Sequence, residues 1–133
     1  MRTHERPVVL VVDDSPESRA NLYQALDQAG YPTATLAHGR AALQFVAERR
    51  PGLVLLTLPE GDAEGARTLG RIKGIAPDVP VLVLQRRAHP PEYRILCEPG
   101  AAAEGPARWV NAAAILDRAR RVLARATREL CVV

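Results

Sequence analysis

An apolar segment followed directly by two carboxylates limits the possible folds of this chain more than any other feature. Residues 8–12 are all apolar and mostly β-branched, and Asp13 and Asp14 follow at once. An uninterrupted apolar run of this kind is typical of a parallel strand buried on both faces. A second run, residues 53–56, has the same character but ends in Thr57. We therefore expect two buried strands, one ending in an acidic pair and the other in a hydroxyl.

Strands and helices alternate along the rest of the chain. The predicted strands are 8–12, 33–37, 53–57 and 81–84, and the predicted helices are 16–29, 39–49, 64–75 and 111–128. Ser15 and Pro16 provide an N-cap and a first-turn proline for the first helix, and Gly30 ends it. This alternation favours an α/β fold, with a parallel sheet and helices on both faces. Residues 88–110 show no comparably clear pattern.

Composition limits the class of protein. The chain has 133 residues, 47% of them hydrophobic, which is enough for one buried core. No apolar run approaches the roughly 20 residues of a membrane-spanning helix. Residues 1–7 are too polar for a secretory signal, so we expect a cytoplasmic protein without membrane contact. Cys97 and Cys131 fit neither a paired-cysteine metal motif nor a disulfide framework, and we assign them no chemical role.

The positive charge does not predict a nucleic-acid surface. The net charge is +3, but 17 of the 18 basic residues are arginines scattered over the whole length, and aromatic residues make up 4%. Nucleic-acid binders usually concentrate basic residues on one face and add aromatics for stacking. The local exception is the last helix, which carries Arg118, Arg120, Arg121, Arg125 and Arg128. We therefore do not expect this segment alone to bind nucleic acid.

Polar residues follow three of the predicted strands. Asp13 and Asp14 end the first, Thr57 ends the third and Gln85 ends the fourth. In an open parallel sheet, functional groups gather at the carboxyl ends of the central strands, where the strand order reverses. We therefore expect these side chains to form one site.

The same residues resemble the receiver domain of bacterial two-component response regulators, over most of residues 8–123. The resemblance rests on Val-Val-Asp13-Asp14-Ser-Pro-Glu, on Gly30-Tyr31, on Ala37-His38-Gly39-Arg40-Ala41-Ala42-Leu43 and on Arg50-Pro51-Gly52-Leu53-Val54-Leu55-Leu56. It implies a doubly wound, flavodoxin-like sheet of five parallel strands in the order 2-1-3-4-5. The receiver-like domain would then span residues 8–126, after a tail at 1–7. Residues 127–133 would extend the last helix or begin a linker.

The resemblance implies that Asp13 and Asp14 are the acidic pair that holds Mg²⁺, and that Thr57 replaces the phosphorylated aspartate. In a receiver, that aspartate attacks a phosphohistidine phosphoryl group while Mg²⁺ and a lysine neutralise the phosphoryl oxygens. A threonine hydroxyl is neutral, weakly nucleophilic and unable to form an acyl phosphate. The loss of a carboxylate ligand also weakens the site for a hard cation. We expect Mg²⁺ binding at Asp13 and Asp14 to be weak or absent, and the alternative is that the two carboxylates are paired with Arg108 or with the first helix's N-terminus.

Two further positions depart from the family's pattern. Gln85 stands at the switch position, where the family has Ser or Thr. The lysine position depends on register: one alignment puts the fifth strand at 95–99 and Glu98 at the lysine, and the other puts the strand at 107–110 and Arg108 at the lysine. We favour Arg108, because that register leaves room for a helix before the strand. The lysine is absent under either.

These changes are typical of a pseudo-receiver, which keeps the receiver's surface and gives up its phosphorylation chemistry, and we expect no catalysis. The resemblance implies a partner face between the fourth strand and the last helix, bordered by Arg86, Arg87 and Trp109. Aromatic and arginine side chains anchor many interfaces. We expect a protein partner or self-association there. A core tryptophan and two solvated arginines are the alternative interpretation.

Two other functions remain open at this point. The chain could be the regulatory receiver domain of a DNA-binding transcription regulator whose output domain is missing, since it contains no helix-turn-helix pattern. It could also accept a phosphoryl group on Asp62, Asp13 or Asp14. Asp62 follows Thr57 by five residues and lies in a predicted loop, which is unfavourable geometry for that role.

Overall fold

The computed structural model describes residues 6–61, 64–99 and 108–131, with side chains up to residue 125. In chain order the elements are β1 (Val9–Val12), α1 (Pro16–Gln28), β2 (Thr33–Leu36), α2 (Gly39–Arg49), β3 (Leu53–Pro59), α3 (Glu64–Ile75), β4 (Val81–Arg87), β5 (Glu92–Cys97) and α4 (Ala112–Cys131). The strands form one sheet in the order β2-β1-β3-β4-β5. The α/β class and this strand order confirm the prediction. None of the helices in the described ranges has the length and hydropathy of a bilayer span.

The two faces of the sheet bury separate cores. The side chains packed with α1 and α4 include Val9, Val11, Leu53, Leu55 and Tyr93, and those packed with α2 and α3 include Leu10, Val12, Val54 and Leu56. Burial on both faces explains why the first and third strands are continuous apolar runs. Each fully buried Val or Leu contributes about 1.5–3 kcal/mol. The parallel pairing of β1 with β3 also brings their carboxyl ends side by side.

The last strand differs from the prediction in both place and direction. β1 to β4 pair in parallel, whereas β5 is antiparallel to β4 and follows it after a turn at residues 88–91. In the described part of the predicted strand at 107–110, only Val110 joins the sheet, through an isolated antiparallel bridge to Tyr93. The favoured register, with a helix between the fourth and fifth strands, is therefore wrong.

The local sequence gives the physical reason for the hairpin. Pro90 and Pro91 have no backbone N–H to donate, so they interrupt any helix that would follow β4. The next residues alternate between polar and apolar, with Tyr93 completely buried and Arg94 only partly so. A period of two with one buried face is the pattern of a strand.

Gly65 lies where α3 packs on β3, and it provides a test of this packing. The methyl group added by Gly65→Ala would overlap Cδ1 of Leu58, so we expect the free energy of unfolding to fall by about 1–3 kcal/mol. Gly70 in the same helix has no neighbouring atom within 4 Å of the corresponding position. Gly70→Ala is therefore the matched control, and should raise stability by about 0.5–1 kcal/mol. Urea unfolding measures both, and a Gly65→Ala protein as stable as wild type would contradict this packing.

Candidate functional site

Asp13 is a completely buried carboxylate that directly follows β1. Its Oδ1 accepts a hydrogen bond from the Ser15 backbone N–H at 3.0 Å and another from Arg86 Nε at 3.0 Å. Its Oδ2 accepts a hydrogen bond from the Ser18 hydroxyl. A buried carboxylate without partners would carry a penalty of several kcal/mol. An arginine from β4 and the first turn of α1 together compensate this charge.

Arg86 bridges the two acidic residues. Its Nε bonds to Asp13 and its Nη2 contacts Oδ1 of Asp14. The Arg86 side chain is only 11% exposed, whereas that of Asp14 is 53% exposed. The prediction that Arg86 borders an exposed partner face is therefore wrong. The side chain instead reaches from β4 past the end of β3 to the acidic pair, because β3 lies between β1 and β4.

The acidic pair is also linked to β5. The Ser18 hydroxyl lies 2.8 Å from the Tyr93 hydroxyl, and Asn21 Nδ2 donates to the same Tyr93 oxygen at 3.5 Å. The pKa of the Tyr93 phenol is raised, chiefly because burial disfavours the charged form. The phenol therefore remains a protonated hydrogen-bonding group. Since Tyr93 pairs with Arg86 in the β4–β5 register, the hairpin and the acidic pair form one network.

Thr57 is buried within β3, and its hydroxyl donates a hydrogen bond to the Val12 carbonyl at 2.9 Å. It lines a pocket with a volume of about 130 Å³ at the carboxyl ends of β1 and β3. The other polar side chains of this pocket belong to Asp13, Asp14, His38, Glu64 and Thr68. The structure thus brings together three of the four strand-end residues that the sequence pointed to.

Gln85, the fourth strand-end residue, does not line this pocket. Its Oε1 accepts two hydrogen bonds from Arg94, one from Nε at 3.0 Å and one from Nη2. The guanidinium carbons of Arg94 and Arg87 lie 4.6 Å and 4.4 Å from the centroid of the Trp109 ring. We call Gln85, Arg87, Arg94 and Trp109 the Trp109 cluster. It is separate from the acidic pair, although Gln85 and Arg87 flank Arg86 in β4.

Neither residue proposed for the lysine position contacts the acidic pair. Oε1 of Glu98 accepts a hydrogen bond from Arg118 at 2.6 Å, and Arg108 is exposed. Among the described residues, the side-chain cation paired with the Asp13 carboxylate is Arg86. A signal for Arg86 was present in the sequence, because strand periodicity extended past Leu84 places residue 86 on the same face as Leu84.

The residues at the acidic pair do not fit the Mg²⁺ site that the resemblance implies. Both carboxylate oxygens of Asp13 already accept hydrogen bonds from protein donors, and Arg86 lies against both carboxylates. Mg²⁺ requires a near-ideal octahedral shell of oxygen ligands. Within the described ranges, no three acidic, histidine or cysteine side chains are grouped so that they could hold a metal ion.

Comparison with known proteins gives a consistent picture. The family model described as "Response regulator receiver domain" matches residues 9–103. The chain is 40% identical over 83 residues to transcriptional regulatory protein ZraR of Escherichia coli, covering 62% of this chain and 19% of that protein. It is 34% identical over 76 residues to sporulation initiation phosphotransferase F of Bacillus subtilis, covering 57% and 61%. It is 38% identical over 80 residues to transcriptional regulatory protein KdpE of Mycobacterium tuberculosis, covering 60% and 35%. The chain thus spans about a fifth of the length of ZraR.

Solved structures show the same fold. The signal receiver domain of a LuxO repressor protein from Vibrio parahaemolyticus superposes with a TM-score of 0.69 at 25% identity, covering 96% of this chain and 97% of that one. A CheY-like receiver domain protein from Methanospirillum hungatei superposes with a TM-score of 0.70 at 18% identity, covering 94% and 99%. The second likeness concerns the fold alone.

The Ser18 hydroxyl joins Asp13 to Tyr93, and its removal tests the network. Ser18→Ala takes a donor from buried Asp13 and a partner from Tyr93, so we expect unfolding free energy to fall by about 1–3 kcal/mol. Tyr93→Phe removes the phenol oxygen but leaves the Ser18 contact with Asp13, and should cost about 1 kcal/mol. Urea unfolding of both variants is the measurement. Equal losses in the two would show that the Ser18 contact with Asp13 adds nothing.

Proposed function

This chain belongs to the family of response regulator receiver domains, and we propose that it is a two-component-type signalling module whose output does not require phosphorylation. The observation that carries the proposal is Thr57, a neutral side chain where the family's pattern has its phosphoacceptor aspartate. The structural likeness to receivers extends over nearly the whole chain. The proposal therefore keeps the family's role in signalling and removes its covalent step.

The surroundings of Thr57 support an unreactive hydroxyl. A threonine becomes a useful nucleophile only when a neighbouring base takes its proton. The Thr57 hydroxyl donates a hydrogen bond to the Val12 carbonyl, which is neutral and is no base. Asp13 is buried and both of its carboxylate oxygens accept hydrogen bonds, and Asp14 is paired with Arg86. The remaining candidate acceptor, Asp62, lies outside the described residues.

We place the output of the module at the Trp109 cluster. Two guanidinium groups lie close to one partly buried indole ring, which holds all three side chains in place before any partner arrives. Arg87 is also paired with Glu92 at 2.8 Å. Preordered aromatic and arginine side chains are frequent anchors of protein interfaces. The proposed partner is a protein, either a second copy of this chain or a different one.

Acetyl phosphate with Mg²⁺ tests the loss of phosphorylation directly. We expect intact-mass spectrometry to show no gain of a phosphoryl group, since neither Thr57 nor the acidic pair offers a free nucleophile. A receiver that retains its aspartate, treated in parallel, is the positive control. Thr57→Val keeps the shape of the side chain and removes the hydroxyl. A gain of one phosphoryl mass in wild type would refute the proposal. If Thr57→Val showed the same gain, the phosphoryl acceptor would be a residue other than Thr57.

Sedimentation equilibrium tests the Trp109 cluster as a surface for a second copy. We expect self-association of wild type, weakened about tenfold or more by Trp109→Ala, because anchor residues contribute roughly 2 kcal/mol or more. Tyr23, an exposed aromatic residue on α1, gives the matched control Tyr23→Ala. The same weakening in both variants would contradict a specific role for Trp109. A wild type that stays monomeric would exclude self-association and leave a different protein as the partner.

A second candidate function is regulation of a DNA-binding protein. The names of ZraR and KdpE describe them as transcriptional regulatory proteins, and this chain matches 19% and 35% of their lengths. Direct contact of this chain with DNA would involve the arginines of α4, where Arg118 is already paired with Glu98. Binding to duplex DNA that weakens steeply with salt would favour this function.

A further inference from the structure

The acidic pair already holds a cation that belongs to the chain itself. We propose that the Arg86 guanidinium takes the place of the divalent cation at this site and so makes the acidic pair independent of metal. The Nε and Nη2 groups of Arg86 each contact a different carboxylate, Asp13 and Asp14. One planar guanidinium can bridge two carboxylates in this way, because its donors form a rigid fork.

Burial makes this internal cation hard to displace. Asp13 is completely buried and the Arg86 side chain is 11% exposed, so their attraction is screened much less than that of a surface pair. Arg86 is also tethered to the site by the backbone of β4, which gives it a high effective concentration there. A metal ion would have to lose its own water and displace Arg86 as well.

The other ligands at the site do not favour a metal over Arg86. Thr57 offers a neutral oxygen in place of a carboxylate, and its hydroxyl is bonded to Val12. Both Asp13 oxygens have protein donors. This chain therefore differs from the family's Mg²⁺ site in a specific way. A side chain of β4 supplies one positive charge to the two carboxylates.

The position of Arg86 has a consequence for the proposed output surface. Its two neighbours in β4, Gln85 and Arg87, belong to the Trp109 cluster. The residue that pairs with both carboxylates thus also fixes the end of β4 that carries this cluster. The arrangement is set when the domain folds, and no ion or phosphoryl group is needed to establish it.

Cation titration of a double-mutant cycle tests the proposal. The four proteins are wild type, Thr57→Asp, Arg86→Ala and the double variant, titrated with Mn²⁺ and followed by fluorescence of Trp109, the single tryptophan of the chain. Thr57→Asp supplies a third carboxylate, so we expect the double variant to bind Mn²⁺ about tenfold or more tightly than Thr57→Asp alone. Wild type should not respond in the millimolar range.

A matched control distinguishes the effect of removing Arg86 on Mn²⁺ affinity from the effect of removing any one positive charge. Arg40→Ala removes the same charge from an exposed residue of α2, which follows the pocket-lining Gly39 and lies outside the Trp109 cluster. Combined with Thr57→Asp, it should leave Mn²⁺ affinity at the level of Thr57→Asp alone. The proposal is overturned if wild type binds Mn²⁺ as the double variant does, if Arg86→Ala adds no affinity to Thr57→Asp, or if Arg40→Ala adds as much.

Circular dichroism checks that the variants fold. A second measurement uses wild type alone and so does not depend on the folding of the variants. In wild type, paramagnetic Mn²⁺ should leave the backbone amide signals of Asp14 and Ser15 unbroadened, and selective broadening there would overturn the proposal. If the Arg86→Ala proteins do not fold, Arg86→Lys in the Thr57→Asp background replaces them, and should still raise Mn²⁺ affinity because an ammonium group cannot bridge as a fork. An unchanged affinity would overturn the proposal.

This inference rests on the proposed function only in taking Thr57 as the phosphoacceptor position. The two failures are distinguishable. A phosphoryl gain in wild type would remove the proposed function and leave the wild-type Mn²⁺ result intact. If wild type bound Mn²⁺ but was not phosphorylated, the proposal that Arg86 takes the place of the cation would be refuted, and the proposed function would stand.

Discussion

The rest of the structure depends on how the buried charge of Asp13 is compensated. Removing one partner of a buried ion pair typically costs about 3–5 kcal/mol, because the other charge stays behind without compensation. Here the partners come from α1 through Ser18 and from β4 through Arg86, and Ser18 extends the contact to Tyr93 of β5. One carboxylate therefore ties together elements that are far apart in the sequence.

The hairpin that replaces a helical crossover determines what the end of β4 can do. A parallel fifth strand needs a long crossover connection, whereas an antiparallel one needs only a short turn. With the turn at residues 88–91, β4 extends to Arg87 and pairs with β5 along its last residues. Alternation along this extension sends Arg86 toward the acidic pair and its neighbours toward Trp109. The same strand end thus serves two sites on opposite faces of the sheet.

The sequence predicted those parts of the molecule whose patterns are local. Apolar runs and caps located β1 to β4 and the helices, and the strand-end rule brought Asp13, Asp14 and Thr57 into one pocket. The prediction from sequence failed at residues 88–110. The family's pattern favoured a helix there, whereas the short alternating segment after two prolines forms a strand. The prediction also missed the contact of Arg86 with the acidic pair. Strand periodicity gives the face of the sheet on which Arg86 lies, but the reach of its side chain past an intervening strand depends on the tertiary structure.

The bridge between Tyr93 and Val110 has a bearing on solubility. β5 is the last strand of the sheet, and an outermost strand offers unpaired backbone groups on which strands of other molecules can add. The Tyr93 N–H donates to the Val110 carbonyl and the Val110 N–H donates to the Tyr93 carbonyl, both at 2.7 Å. The returning chain therefore occupies part of this edge with its own backbone. The bridge between Tyr93 and Val110 thus gives the hairpin edge one protection against edge-to-edge aggregation.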